Sequence, residues 1–194
     1  MTDSGDPATG FAQRVDAMLL ARAQAGDMQA FAALYACFGR ACFNLALRMV
    51  GNRALAEDLV QEVFLKLFAA IRGYRGEAPF GSWLKRMTIN ATIDQLRNSR
   101  HYGDGDALEL AASQGAPESG SAATLDAWSL LQRLPARARA VLVLHEFEGY
   151  THAELAALFG QSESYSKSIV SRALKRLGEL VQDAPKEVSC HSRT

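Results

Sequence analysis

The stretch RALAEDLVQEVFLKLFAAI, Arg53 to Ile71, decides the fold. At about 100° per residue, Leu55, Leu59, Val60, Val63, Phe64, Leu67 and Ile71 fall on one broad arc, which predicts a helix with that arc against a core. The opposite side carries Asp58, Gln61, Glu62, Leu65 and Phe68. An ordinary solvated face does not combine acids and an amide with two large apolar residues. Periodicity leaves two readings open: a docking surface with apolar anchors, or a face whose Leu65 and Phe68 pack on a neighbouring helix.

The same three- and four-residue spacing extends in both directions. It predicts a helix over about Ala12–Ala25, stopped by Gly26-Asp27. A second begins near Met28, carries Phe31, Leu34, Tyr35, Phe38, Phe43, Leu45, Leu47 and Val50, has a possible break at Gly39, and ends at Gly51-Asn52. After a loop from Tyr74 to Pro79, another helix begins at Phe80 or Gly81 and runs to about Arg100. Sustained alternation of Val, Ile and Thr is absent, so strands are not expected. The fold class is all-α.

Residues 101–124 differ in composition. They hold four Gly, one Pro and four acids (Asp104, Asp106, Glu109, Glu118) with no Lys or Arg, as a flexible acidic linker would. The chain therefore reads as a tail (1–10), a helical domain (11–100), this linker, a second helical domain (125–181) and a final tail (182–194). In the second domain, Leu125–Leu134 looks helical. Pro135 suits the first turn of a helix over Ala136–Phe147, and Gly149-Tyr150 makes a turn.

Thr151 with Glu154 three residues on reads as a capping box opening a short helix to Phe159. Gly160-Gln161-Ser162 then turns into a last helix over Glu163–Val181. Small Ala156 and turn-tolerant Gly160 stand where a helix-turn-helix needs them, with Leu155, Phe159, Ile169 or Val170, Leu174 and Leu177 as the shared core. Such a motif presents the first half of its second helix to the major groove. Glu163, Ser164, Tyr165 and Lys167 are the candidate base readers, and Ser168, Arg172, Lys175 and Arg176 the candidate phosphate contacts. A plain helical hairpin gives the same pattern.

The 194-residue chain has no formal net charge, yet its charge is not evenly spread. Residues 1–100 carry +3, 101–124 carry −4, and 125–194 carry +1. Two basic helices thus flank an acidic tether, and basic helices bind phosphate backbones through counterion release. Around Phe80-Gly81-Ser82-Trp83-Leu84, aromatic Tyr74, Phe80, Trp83 and Tyr102 lie near Lys85, Arg86, Arg97 and Arg100, a mixture suited to stacking single-stranded bases. Trp83 and Leu84 read more simply as core.

Three segments in this order resemble the extracytoplasmic-function (ECF) group of the bacterial sigma-70 family of RNA polymerase sigma factors. They are AEDLVQEVFLKLF (Ala56–Phe68), FGSWLKRMTINATIDQLRNSR (Phe80–Arg100) and LPARARAVLVLHEFEGYTHAELAALFGQSESYSKSIVSRALKRL (Leu134–Leu177). DMQAFAALYACFGRACFNLALRMVGN fits the start of the first domain, so the resemblance spans about residues 24–100 and 126–178. It implies a first domain (region 2) that docks on the β′ clamp helices of core polymerase through Asp58, Gln61, Glu62, Leu65 and Phe68. The same domain would hold the melted −10 strand through Asn90, with Lys85, Arg86, Arg97 and Arg100 on phosphates. The second domain (region 4) would bind the −35 duplex through the last helix and touch the β flap. The acidic linker would thread toward the RNA exit path. The resemblance also implies an anti-sigma partner and no enzymatic activity. Three residues depart from the family pattern: Gln161 and Ser166 replace usually apolar residues, and Ile169 a commonly basic one.

Other function classes find little support. No apolar run approaches the roughly 20 residues of a membrane span. Residues 1–10 are polar and acidic, unlike a secretory signal. Cys37, Cys42 and Cys190 are too few and too unevenly spaced for a disulfide framework or zinc site, which favours the cytoplasm. His101, His145, His152 and His191 are scattered, so neither metal nor cofactor is expected. Cys37 and Cys42 read as buried small hydrophobes, and Cys190-His191 only remotely as a sensor. The alternative functions are a stand-alone helix-turn-helix regulator and a polymerase-binding adaptor that does not read DNA.

Overall fold

The structure, a computed structural model, describes residues 10–98 and 122–182. The expected linker up to residue 121, both extreme tails, Arg100, Tyr102 and Cys190-His191 lie outside the described residues. Eight α-helices and no strand occur among the described residues. They are α1 (Ala17–Gln24), α2 (Met28–Val50), α3 (Arg53–Ala70), α4 (Phe80–Asn98), α5 (Ala122–Gln132), α6 (Ala136–Glu146), α7 (His152–Phe159) and α8 (Glu163–Gln182). Short 3₁₀ turns sit at Gly10–Ala12 and Ile71–Gly73.

Helix starts follow local chemistry. Asp16, Asp27 and Asn52 each accept a backbone N–H of the helix that follows, as N-caps do. Asp16 thereby delays α1 to Ala17, later than the apolar spacing suggests. At Thr151 both halves of the capping box form: Thr151 Oγ1 accepts from Glu154 N (3.2 Å), and Thr151 N donates to Glu154 Oε2 (2.8 Å). Ser162 Oγ accepts from Tyr165 N (3.2 Å) at the head of α8. Gly51 (φ 69°) and Gly160 (φ 62°) end α2 and α7 in the left-handed conformation that other residues avoid. Gly39 does not break α2, because the helix continues through a buried position packed beside the Tyr35 ring. Helix α5 begins at Ala122, within the expected linker.

Two apolar clusters form. The first gathers Leu34, Phe38, Leu59, Val63, Phe64, Leu67, Phe80 and Leu84 from α2–α4, and Trp128 of α5 joins it. The second combines Leu45 and Met49 of α2 and Ile89 and Ile93 of α4 with Leu134, the run Ala140 to Leu144, Leu155, Phe159, Ile169, Val170 and Ala173. The two helical units thus share a core, with α2 packed on α6 as well as on α3 and α4. Contrary to the expectation that no apolar run is long enough, α2 could cross a membrane by length and composition. Here it is a core helix, its Leu34, Phe38, Leu45, Leu47 and Met49 all buried.

Candidate nucleic-acid and partner interfaces

The core arc of α3 holds as expected, with Leu59, Val60, Val63, Phe64, Leu67 and Ile71 buried and Leu55 partly so. Across the helix, Asp58, Gln61, Leu65 and Phe68 are exposed and Glu62 half-buried. Leu65 is 73% exposed and Phe68 47%, so no neighbouring helix covers them. Of the two readings, packing on a neighbour fails for Leu65. Phe68 makes one edge-on contact with the Phe31 ring (5.2 Å), which fixes its orientation without hiding it. Tyr35 stands beside them, 49% exposed and edge-on to Phe64 at 4.7 Å. The sequence places Tyr35 only among the residues that the second helix carries. Its position one turn after Phe31 was the signal that it continues the α3 face. From Tyr35 a cleft of about 470 Å³ runs between α2 and α3, lined by Gly39, Arg40, Phe43, Arg53 and Gln61.

On α4, Arg86 and Asn90 face solvent between buried Leu84, Thr88, Ile89 and Ala91. Thr88 and Thr92 are fully buried because each hydroxyl donates to the carbonyl one turn back, Leu84 O (3.0 Å) and Thr88 O (2.8 Å). Lys85 is half-buried, with Nζ 2.5 Å from Oε2 of Glu148. Arg97 donates to Leu158 O at the end of α7 and lies 3.6 Å from Asp94. Two of the expected strand contacts therefore already hold partners. Tyr74, Phe80 and Trp83 form a ring cluster with centroids 5.1–5.9 Å apart. Phe80 is buried and not available for base stacking, while Leu84 is core and Trp83 is partly so.

On α8, Glu163, Ser164, Lys167, Ser168, Arg172, Lys175 and Arg176 are exposed together. Their cations are loosely held: Lys167 is 3.7 Å from Glu163, Arg176 is 3.5 Å from Glu179, and Arg172 Nε donates to Ser168 O (3.3 Å). Such exposed pairs exchange readily for phosphates. Tyr165 leans inward with the Arg137 guanidinium over its ring, 5.4 Å from the centroid. Leu155, Phe159, Ile169 and Val170 are core as expected, and Leu177 is partly buried, but Leu174 is 47% exposed and not part of the core. Ser166 keeps its apolar position by hydrogen bonding to Nδ1 of His152 (3.1 Å). Ile169 is buried, which accounts for the missing basic residue there.

Among the described residues no group of three His, Cys, Asp or Glu could hold a metal ion. Cys42 is buried, and burial pushes its thiol up to about 11, whereas Cys37 is exposed rather than buried. His145 and His152, which look unrelated in sequence, stack with ring centroids 4.3 Å apart.

An exposed helix-turn-helix, a second basic helix and an apolar-anchored acidic face define a DNA-binding subunit built to join a larger machine. The family described as Sigma-70 region 2 matches residues 34–102, and Sigma-70 region 4 matches 125–177. The ECF RNA polymerase sigma factor SigM of Mycobacterium tuberculosis is 32% identical over 90% of each chain. BldN of Streptomyces coelicolor, another ECF sigma factor, is 31% identical over 85% of this chain and 65% of its own. Among solved structures, the sigma factor RpoE of Bartonella quintana bound to the anti-sigma factor NepR aligns with a TM-score of 0.51, 25% identity, and coverage of 74% and 91%. CnrH with the cytosolic domain of CnrY aligns at 0.50 and 25% identity, covering 85% and 96%. The chain belongs to the ECF group of the sigma-70 family of RNA polymerase sigma factors.

Proposed function

We propose that this sigma factor divides promoter recognition between its two helical units. The α3 face of Asp58, Gln61, Glu62, Leu65 and Phe68 docks on the β′ clamp helices of core polymerase, and the second unit reaches the β flap. Asn90 takes a base of the melted −10 strand, and Lys85, Arg86, Arg97 and Arg100 meet its phosphates. Helix α8 lies in the major groove of the −35 duplex, with Glu163, Ser164 and Lys167 toward bases and Ser168, Arg172, Lys175 and Arg176 toward the backbone, while Tyr165 supports the turn from the core side. The first domain spans 11–100, and the second begins with α5 at Ala122, ahead of the boundary at 125 that composition suggests, and runs to 181. The acidic segment between them follows the RNA exit path, where its carboxylates mimic a nucleic-acid strand.

The observation that carries this reading is Leu65, 73% exposed in the middle of a helix whose other apolar side chains are mostly buried. An exposed leucine framed by acids fits a protein partner better than water. The protein works in the cytoplasm with the polymerase, performs no catalysis of its own, and is held in check by an anti-sigma protein, as RpoE of Bartonella quintana is assembled with the anti-sigma factor NepR. Transcription in vitro with purified core polymerase on genomic DNA tests the proposal: new start sites must appear only when the chain is added. A stand-alone regulator would instead protect a palindromic site without polymerase, and an adaptor would lack a steep salt dependence of DNA binding.

A further inference from the structure

We infer that Arg137 is a positioning residue for duplex recognition: from α6 it sets the angle at which α8 presents its reading side chains, without meeting the DNA itself. The inference rests on the reading of α8 as the −35 helix.

Arg137 is the second residue of α6 and is half-buried. Its guanidinium lies over two rings, those of Phe159 and Tyr165, 5.4 Å from each centroid. Phe159 is the last residue of α7, and Tyr165 stands in the first turn of α8. One planar cation therefore grips both sides of the turn over residues 160–162 and ties them to α6. The dipole of α6 opposes a cation in its first turn, and the attraction of the two ring faces offsets that.

Consecutive residues of α8 are thus anchored from within. Tyr165 is held by Arg137, and its backbone N–H donates to Ser162 Oγ (3.2 Å). Ser166, 3% exposed, is hydrogen bonded to His152 Nδ1 (3.1 Å), and His152 stacks on His145 of α6. Away from these anchors, Glu163, Ser164, Lys167 and Ser168 are exposed. A helix turns as one body, so any rotation that takes Tyr165 off Arg137 swings Ser164 and Lys167 through the same angle. Hydrogen bonds to base edges are directional and lose discrimination when the donors are turned away.

Arg137 differs in this from the cations expected on phosphates. Arg172, Lys175 and Arg176 are exposed on α8, whereas the Arg137 guanidinium is turned onto rings of the motif's own core side. Its planar shape matters as much as its charge, because a lysine ammonium is a point charge and cannot stack.

Holoenzyme assembled from core polymerase and the full chain, selected on promoter duplexes randomised across the −35 element, tests this. Sequencing the recovered duplexes gives the preference at each base pair. Arg137→Met keeps the apolar stem, and its preference should fall about ten-fold at one or more positions, the discrimination supplied by one good base contact. Arg137→Lys should show most of the same loss. Arg172→Gln, which removes an expected phosphate contact, should lower recovery of all sequences alike and leave the preference intact. Thermal melting followed by circular dichroism checks the fold; if Arg137→Met does not fold, Tyr165→Leu removes the ring at the α8 end and is read in the same way. An unchanged preference overturns the inference, as does a uniform loss of recovery or full restoration by lysine, while the −35 reading of α8 stands. A wild-type holoenzyme without preference across the element overturns that reading and the inference with it.

Discussion

Glu148 Oε2 lies 2.5 Å from Lys85 Nζ, joining the turn after α6 to the first part of α4. Neither side chain is fully exposed (11% and 26%), so solvent screens the pair only in part. Replacing Glu148 with Gln also frees Arg48, its second partner. We expect a loss of about 1.5–3 kcal/mol in urea denaturation, the range for hydrogen bonds to charged groups. The deficit should shrink as salt is added.

Leu65→Arg and Asp58→Arg change exposed positions and should leave thermal stability within about 0.5 kcal/mol of wild type. Each should weaken binding to core polymerase by about 2 kcal/mol or more, the loss expected at an interface anchor. Tyr35→Ala should weaken it as well, though less. Co-elution with core polymerase and surface-based titration measure both effects, and normal affinity in the first two variants would remove the α3 face from the interface.

Asn90→Ala should impair promoter opening more than formation of the closed complex. The side chain is exposed and the flanking Ile89 and Ala91 hold the helix in place, so folding is not at stake. Permanganate reactivity of the melted strand reports opening, and gel shifts of the duplex promoter with holoenzyme report the earlier step. Equal loss at both would argue against base capture.

Two glycines should respond in opposite directions. A Cβ on Gly81 would lie 2.0 Å from the backbone oxygen of Phe11, so Gly81→Ala should cost about 1–3 kcal/mol as an overpacked site. Gly178, within α8, has nothing within 4 Å of its would-be Cβ, and Gly178→Ala should gain about 0.5–1 kcal/mol. Urea midpoints of the two variants decide the signs.

Acid should destabilise the chain through two helix caps. The Arg22 side chain, then the Ala30 backbone, holds the Asp27 carboxyl below its ordinary 3.8, and the Thr151 backbone does the same for Glu154 below 4.5. Carboxyls lowered in the folded state contribute stability above their unfolded values and lose it as pH falls through the lowered ones. Thermal midpoints should therefore drop on acidification below about pH 4.5. Asp27→Asn keeps a cap but removes the charge, so its midpoint should vary less with pH over that range.

Most of the helices were legible because their causes are local. Thr151 caps, Gly51 and Gly160 terminate, and the apolar spacing of α3 marks its buried arc, while the caps at Asp27 and Asn52 emerge only from the structure. The odd face of α3 was legible for the same reason, since helical geometry alone sorts Leu65 and Phe68 away from Leu59 and Leu67. The exposed basic side of α8 was legible from its apolar-striped pattern. Errors fell where one helix meets another. Leu174 and Cys37 have the composition of core residues, and only the placement of neighbouring helices leaves them exposed.

The sequence by itself determined an all-α chain, its capping and turning points, and the family whose motifs it carries, because each depends on residues a few positions apart. The tertiary structure alone decided that Arg139 is buried on the carbonyls of Met49 and Val50, that Glu148 faces Lys85, and that His145 stacks on His152. A backbone carbonyl has no signature in a sequence, and an ion pair between residues far apart in the chain has no period. Such contacts exist only once the apolar arcs of α2, α4 and α6 have found each other and brought the polar groups at their rims together.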